Sequence, residues 1–275
     1  MQSLKLLIKY GGNAMINQEL KQQIAQALFL LKKAGHQITL VHGGGPFINN
    51  ALEKAQITSE FIEGQRQTSP EALEEIKKTL IGEVNSDITH LFSRHQLSAV
   101  GLSGLDSEMV QVEKKKLQKT TKNGIIDEID LGRVGQVKSV DTSLINTLLN
   151  QNFTPVIACL GADEDGLVYN INADDFAGEI AAALNVDYYV SLTDVDGLYG
   201  NYPDPASLIS NISLENLPEY YGSIIQGGMI PKIQSCELAL KKGVKNALIL
   251  NGTKPKQLLD FFENKFKSGT TISHK

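Results

Sequence analysis

Val41-His42-Gly43-Gly44-Gly45-Pro46 joins an apolar run at residues 38–41 to a segment, 47–52, with helical spacing. The apolar run reads as a buried strand. Pro46 falls near the first turn of the helix, where a missing N–H costs nothing. Three consecutive glycines carry no Cβ to hold back an incoming group, and their backbone is free to take positive φ. Their N–H groups, with the positive end of the following helix, make an anion cradle. A glycine-rich strand-to-helix turn without a ligand is the alternative that the local sequence leaves open.

The same strand-then-helix pattern recurs on either side. Strands are predicted at residues 4–8, 98–102, 155–160, 188–192, 247–250 and 270–272. Leu20, Ile24, Ala27, Leu28 and Leu31 share one helical face, with Lys32 and Lys33 in the last turn and Gly35 at the C-cap. Pro70 opens a long amphipathic segment to His95, and further helices are predicted at 142–150, 174–184, 226–242 and 255–264. Residues 108–112 and 125–137 alternate polar and apolar as antiparallel or edge strands do, and 161–173 reads as a long loop. This order predicts an α/β fold: an open, mostly parallel β-sheet sandwiched between helices, in two lobes at residues 1–185 and 186–275. Sites in such sheets form at the carboxyl ends of strands.

Composition narrows the function. A net charge of −5 argues against broad binding of nucleic acid or anionic membranes. A local basic run, Lys114–Lys116 with Lys119 and Lys122, reads as a solvated loop with the capacity to steer an anion. Cys159 and Cys236 stand alone, which points to a reducing, cytoplasmic setting; no membrane-length apolar run and no signal peptide is evident. GxxxxGK[ST], GxGxxG after a strand, HRD/DFG, HExxH and CxxC are all missing. His42 and His90 lack ligand partners and read as structural.

What remains is Lys9 before Gly11-Gly12, the glycine cradle, Asp174 at a helix start, and Lys232 after Gly227-Gly228. Lysines at strand–helix junctions beside backbone donors suit a phosphoryl group whose oxygens gather charge in the transition state. Asp174 between them would hold both ammonium groups in place.

Seven motifs then occur in order: Lys9-x-Gly11-Gly12, VHGGGP at 41–46, GQRQT at 64–68, GLSGLD at 101–106, NINAD at 170–174, TDVDGLY at 193–199 and GGMIPK at 227–232. With GRVGQV at 132–137, they closely resemble the amino acid kinase superfamily over almost the whole chain. The resemblance implies ATP-dependent phosphorylation of the γ-carboxylate of N-acetyl-L-glutamate, giving an acyl phosphate for arginine biosynthesis. It makes Lys9, Asp174, Lys232, Gly11, Gly12 and Gly44 the catalytic set, the lysines and glycine amides stabilising the phosphoryl group. It assigns Gly44, Gly45, Arg66 and Asn170 to the acyl-amino acid, with Arg66 on its α-carboxylate, a task that suits a guanidinium fork. It assigns Lys9, Gly12, Thr193, Asp194, Tyr199, Gly228, Met229 and Lys232 to the nucleotide, with Asp194 and Tyr199 towards the ribose or adenine. No protein metal site is expected; Mg²⁺ would be held by ATP oxygens and water. An ionised carboxylate needs no catalytic base.

Many superfamily members carry a lysine where this chain has Leu105. A kinase acting on carrier-protein-linked aminoadipate, which tends to be apolar there, therefore stands as the alternative. A catalytically silent amino-acid sensor on the same fold is a second one. The first strand begins close to the N-terminus, without the extra helix that arginine-inhibited members use to build hexamers. A homodimer with little arginine feedback is expected, its contact formed by the 70–95 helix through Ile81 and Val84.

Overall fold

The computed structural model describes residues 3–120, 126–263 and 269–274. β1 (Lys5–Tyr10) is covered on both faces: Leu7, between Lys5 and Lys9, joins one core, while Leu6, Ile8 and Tyr10 join another on the opposite side. Because side chains alternate along a strand, such a sequence is satisfied only between two layers. α1 (Gln18–Lys33) is capped by Asn17, which accepts the Leu20 N–H at 3.0 Å, and it buries Ile24, Leu28 and Leu31. Gly35, at φ +96°, turns the chain back into β2 (Gln37–His42), which pairs in parallel with β1. α2 (Gly45–Lys54) starts directly after the glycine turn, with Gly44 as its N-cap.

A short hairpin of β3 (Phe61–Ile62) and β4 (Gln65–Arg66), not foreseen from the sequence, leads to α3 (Pro70–Lys77). α3 and α4 (Ser86–Arg94) are joined by a π-helical stretch, Lys78–Asn85, into one continuous helix. Ile76, Leu80, Val84, Ile88 and Phe92 are all buried, at strict intervals of four. In an ideal α-helix each such step drifts by about 40°, so the wider π-helical turn keeps the stripe on the core. This corrects the expectation for Val84, which faces inward at 3% exposure, whereas Ile81 is 41% exposed.

β5 (Ala99–Ser103) is followed by the long antiparallel hairpin of β6 (Val110–Thr120) and β7 (Ile126–Val140). The basic run is therefore strand rather than loop: Lys114 pairs with Asp130, Lys115 with Asp175 and Lys116 with Glu128. The side chain of Lys119 and all of Lys122 lie outside the described residues. After α5 (Ser143–Asn150) and β8 (Thr154–Ala158), the expected loop holds two strands, β9 (Leu160–Ala162) and β10 (Val168–Asn170). With β6 and β7 these close a small four-stranded barrel, which short non-periodic strands do not announce in sequence. Then come α6 (Ala173–Ala183), β11 (Tyr188–Thr193), β12 (Asn211–Ser213), α7 (Met229–Lys241), β13 (Asn246–Asn251), α8 (Lys256–Phe262) and β14 (Thr270–Ser273). Residues 193–199, whose sequence reads as a turn and short strand, bend after Thr193 and make a single bridge, Tyr199 to Leu208. Residue 264, the predicted end of α8, lies outside the described residues.

The main sheet runs β12-β14-β13-β11-β1-β2-β8-β5, parallel at every neighbouring pair except β13–β14. α6 and α7 cover one face, with Phe176, Ile180, Ile233 and Leu240; α1, α4 and α8 cover the other, with Leu28, Phe92 and Leu258. The predicted open, mostly parallel sandwich is found. The 185/186 boundary precedes β11, which pairs directly with β1, so both halves of the chain share one sheet and both cores.

Candidate active site

Lys9 lies in β1, at its carboxyl end, opposite Ser191 of β11. Its Nζ is 2.9 Å from Asp174 Oδ1, and both side chains are only 7% exposed. Lys232, in the first turn of α7, places Nζ 3.2 Å from Asp174 Oδ2. One carboxylate thus holds two ammonium groups that are separated by more than two hundred residues of sequence. Burial alone would raise the Asp174 pKa, but the Lys9 and Lys232 charges outweigh it and hold the group below its ordinary value. Lys232 is lowered from its ordinary value by burial and by the nearby Lys9 charge, against the pull of Asp174. The carboxylate is aimed by Asn172, which caps α6 by accepting the N–H groups of Asp174 (2.9 Å) and Asp175 (3.3 Å). Asp174 also sits in the first turn of α6, where the helix dipole favours negative charge.

Both glycine turns face this pair. A Cβ on Gly11 would lie 3.2 Å from Lys9 Nζ. Gly12 takes φ +69°, and a Cβ there would meet Asp194 Oδ1 at 2.9 Å. In the second turn the expectation of positive φ fails: Gly43, Gly44 and Gly45 do not adopt it, and Gly44 sits at φ −169°, ψ 26°. Glycine is needed there for closeness instead. A Cβ on Gly44 would strike Leu80 Cδ2 at 2.8 Å, and one on Gly43 would meet Ala173 Cβ at 3.1 Å.

A cavity of about 240 Å³ opens beside these groups. Lys9, Gly11, Gly12, Gly44, Gly45, Arg66, Asn170 and Asp174 all line it. Arg66 is buried at one end, its guanidinium over the Phe61 ring at 4.5 Å and hydrogen-bonded to Asn49 Oδ1. Its segment is fixed to the barrel: Thr68 donates to Leu131 O at 2.9 Å, and Arg133 N–H donates to Thr68 O at 2.7 Å. Gly132, at φ +72°, allows that approach, since a Cβ would lie 2.2 Å from Thr68 O. Asn170 donates to Thr68 Oγ1 at 3.4 Å, bringing it into the same wall. Cys159 also lines the cavity, but burial pushes its thiol up to about 12, which removes it as a nucleophile.

The predicted nucleotide-side residues are more dispersed. Thr193 ends β11 beside the site, and its carbonyl accepts the Gly252 N–H at 2.7 Å. Asp194 grips the first glycine turn, accepting from Asn13 N–H and Asn13 Nδ2, each at 3.1 Å. Tyr199 donates to Asp196 Oδ2 at 3.2 Å, and Asp196 also takes Lys254 and Asn251. Gly228 caps α7 and Met229 begins it. Thr193, Asp194, Tyr199, Gly228, Met229 and Lys232 all lie outside the lining of the cavity, as does Leu105, which packs against the core.

Several contributors escaped sequence reasoning. Asn49 and Phe61 sit in segments with no motif of their own. Asn172 carried a signal, an amide directly before a helical Asp-Asp, which is the pattern of an N-cap. His42 was expected to be structural; it is buried and bonded to Gly43 O and to Asn85.

Comparison with known proteins identifies the family of the chain. A model of the amino acid kinase family matches residues 5–251. The acetylglutamate kinase of Methanococcus maripaludis strain S2 is 44% identical over 256 residues, 93% of this chain and 87% of its own. Among solved structures, smu.665 from Streptococcus mutans superposes with a TM-score of 0.76 at 26% identity, over 98% of this chain and 99% of that one. Carbamate kinase from Giardia lamblia bound to AMP-PNP shares the fold, with a TM-score of 0.68 at 18% identity over 99% of each chain.

Proposed function

The chain belongs to the amino acid kinase family, and on that premise we propose that it phosphorylates the γ-carboxylate of N-acetyl-L-glutamate with ATP, a step of arginine biosynthesis. The observation that carries this reading is the shared carboxylate: two lysines from distant segments meet on Asp174 at the rim of a cavity lined by glycine turns.

The reaction joins two anions. A γ-carboxylate oxygen attacks the γ-phosphorus of ATP while the bond to the β,γ-bridging oxygen breaks, leaving ADP and an acyl phosphate. The acceptor is already ionised at neutral pH, so no base is required. The obstacle is repulsion, and charge in a desolvated site addresses it. Lys9 and Lys232 neutralise the transferring phosphoryl group, and the amides of Gly11, Gly12 and Gly44 donate to its oxygens. Asp174 positions the lysines. Arg66 takes the α-carboxylate in its planar fork, with Asn170 and Gly45 alongside. Thr193, Asp194, Tyr199, Gly228 and Met229 hold the nucleotide, so residues 1–185 carry the acyl-amino acid and 186–275 the ATP.

The kinase reaction uses a divalent cation, here proposed as Mg²⁺. Both oxygens of Asp174 are engaged by lysines, which leaves the ion to phosphate oxygens and water.

Coupled ADP release, with N-acetyl-L-glutamate against glutamate, aspartate and carbamate, tests the reading. ADP formed only with N-acetyl-L-glutamate is expected. ADP formed only with another acceptor would overturn it.

A further inference from the structure

The Gly43 carbonyl and the Gly44 N–H belong to one planar trans peptide and point in opposite directions, so whatever fixes the oxygen aims the hydrogen. His42 supplies that restraint: its Nδ1 lies 2.9 Å from Gly43 O. The other ring nitrogen, Nε2, is 2.9 Å from Asn85 Nδ2, inside the π-helical stretch. That orientation is set by the same amide nitrogen's other neighbours, Val156 O at 2.8 Å and Leu102 O at 3.2 Å, both acceptors. A carbonyl oxygen only accepts, so the ring proton resides on Nδ1 and is donated to Gly43 O, which leaves bare Nε2 facing an amide nitrogen whose two protons are shared among Nε2 and the two carbonyls. Burial pulls the imidazole pKa down to about 4, so the ring is neutral at physiological pH. Among the described residues, the Gly44 N–H meets no acceptor in the protein, and Gly44 lines the cavity.

We propose that His42, held in its Nδ1–H tautomer by Asn85, aims the Gly44 N–H at the transferring phosphoryl group and is a positioning residue for phosphoryl transfer. This rests on the kinase reading above and adds to it a residue that touches neither substrate.

Two substitutions separate the ring's two bonds. His42→Asn keeps a donor at the δ position but cannot reach Asn85, whereas His42→Gln reaches Asn85 but has no δ donor. His42→Gln is expected to lower kcat by about tenfold to a hundredfold with KM values little changed, the scale of one misdirected transition-state donor. His42→Asn is expected to restore most of that loss. The reverse order, equal losses in both, or no loss in either would overturn the proposal, since packing or Asn85 anchoring would then explain the residue. Should His42→Gln fail to fold, His42→Phe, which lacks both bonds, takes its place in the comparison. The ¹⁵N-histidine spectrum of the wild-type protein supplies a readout independent of turnover. His42 is expected to be protonated on Nδ1 and bare on Nε2, and the opposite tautomer would overturn the proposal. Wild-type protein that releases no ADP would sink the kinase reading, and the tautomer would still be decided.

Discussion

Replacing Asp174 with Asn keeps the shape of the side chain and removes the charge on which both lysines converge. At an effective dielectric of about 20, its attraction to Lys9 at 2.9 Å is worth about 6 kcal/mol, and to Lys232 at 3.2 Å about 5 kcal/mol. These are gross attractions, opposed by the cost of desolvating three charges. Removing one partner from a buried ion pair leaves a net loss of about 3–5 kcal/mol. The lower end applies here, because the amide oxygen still serves one lysine and the Lys232 side chain is 20% exposed. A loss of about 3 kcal/mol corresponds to a fall in Tm of about 5 °C for a chain of this size. The lysines would also drift apart, lowering kcat for ADP release by about a hundredfold or more. Thermal unfolding followed by circular dichroism reads the first effect, and the coupled assay reads the second. pH adds a sign. Asp174 has a folded pKa below its ordinary value of 3.8, so its contribution is present above that value and lost as pH falls through the folded pKa. The stability gap between wild type and Asp174→Asn should therefore close in acid below that value. A variant with unchanged Tm and unchanged kcat would refute the shared-carboxylate reasoning.

Lys9→Ala and Lys232→Ala should each reduce ADP formation by about a hundredfold or more without loss of fold, because each removes one charge from the transferring group. Arg66→Lys loses the planar fork and its stacking on Phe61, and should raise KM for N-acetyl-L-glutamate about tenfold or more while leaving KM for ATP unchanged. Gly12→Ala forces a side chain into left-handed φ against Asp194 and should cost about 1–2 kcal/mol, measured by urea unfolding. A homodimer built on the 70–95 helix should be broken by Ile81→Asp, read by sedimentation. A charge at Val84 is expected to destabilise the core instead, because that side chain is buried.

Much of this architecture was written locally. Apolar runs with no polar face require a sheet covered on both sides, and helix spacing with Gly35 and Pro70 marks the covering layers. Glycines beside lysines at strand ends mark the chemistry. Such signals survive in sequence because periodicity and backbone freedom are properties of near neighbours. The barrel strands β9 and β10 were not visible, since three residues are too short to show a period. The basic run misled for a related reason: its lysines find carboxylates on the partner strand and on α6, and sequence does not reveal such pairings. The expected sharing of Asp174 by Lys9 and Lys232 took its distances from the folded chain, and only the folded chain decided that Arg66 stacks on Phe61. It also decided that Gly43 and Gly44 serve close approach rather than positive φ, because Ala173 crowds the first and Leu80, from a distant helix, the second. The sequence by itself determined which residues carry charge and which segments turn sharply. The tertiary structure determined where those charges meet, because electrostatic work depends on separations of a few ångströms that chain order does not specify.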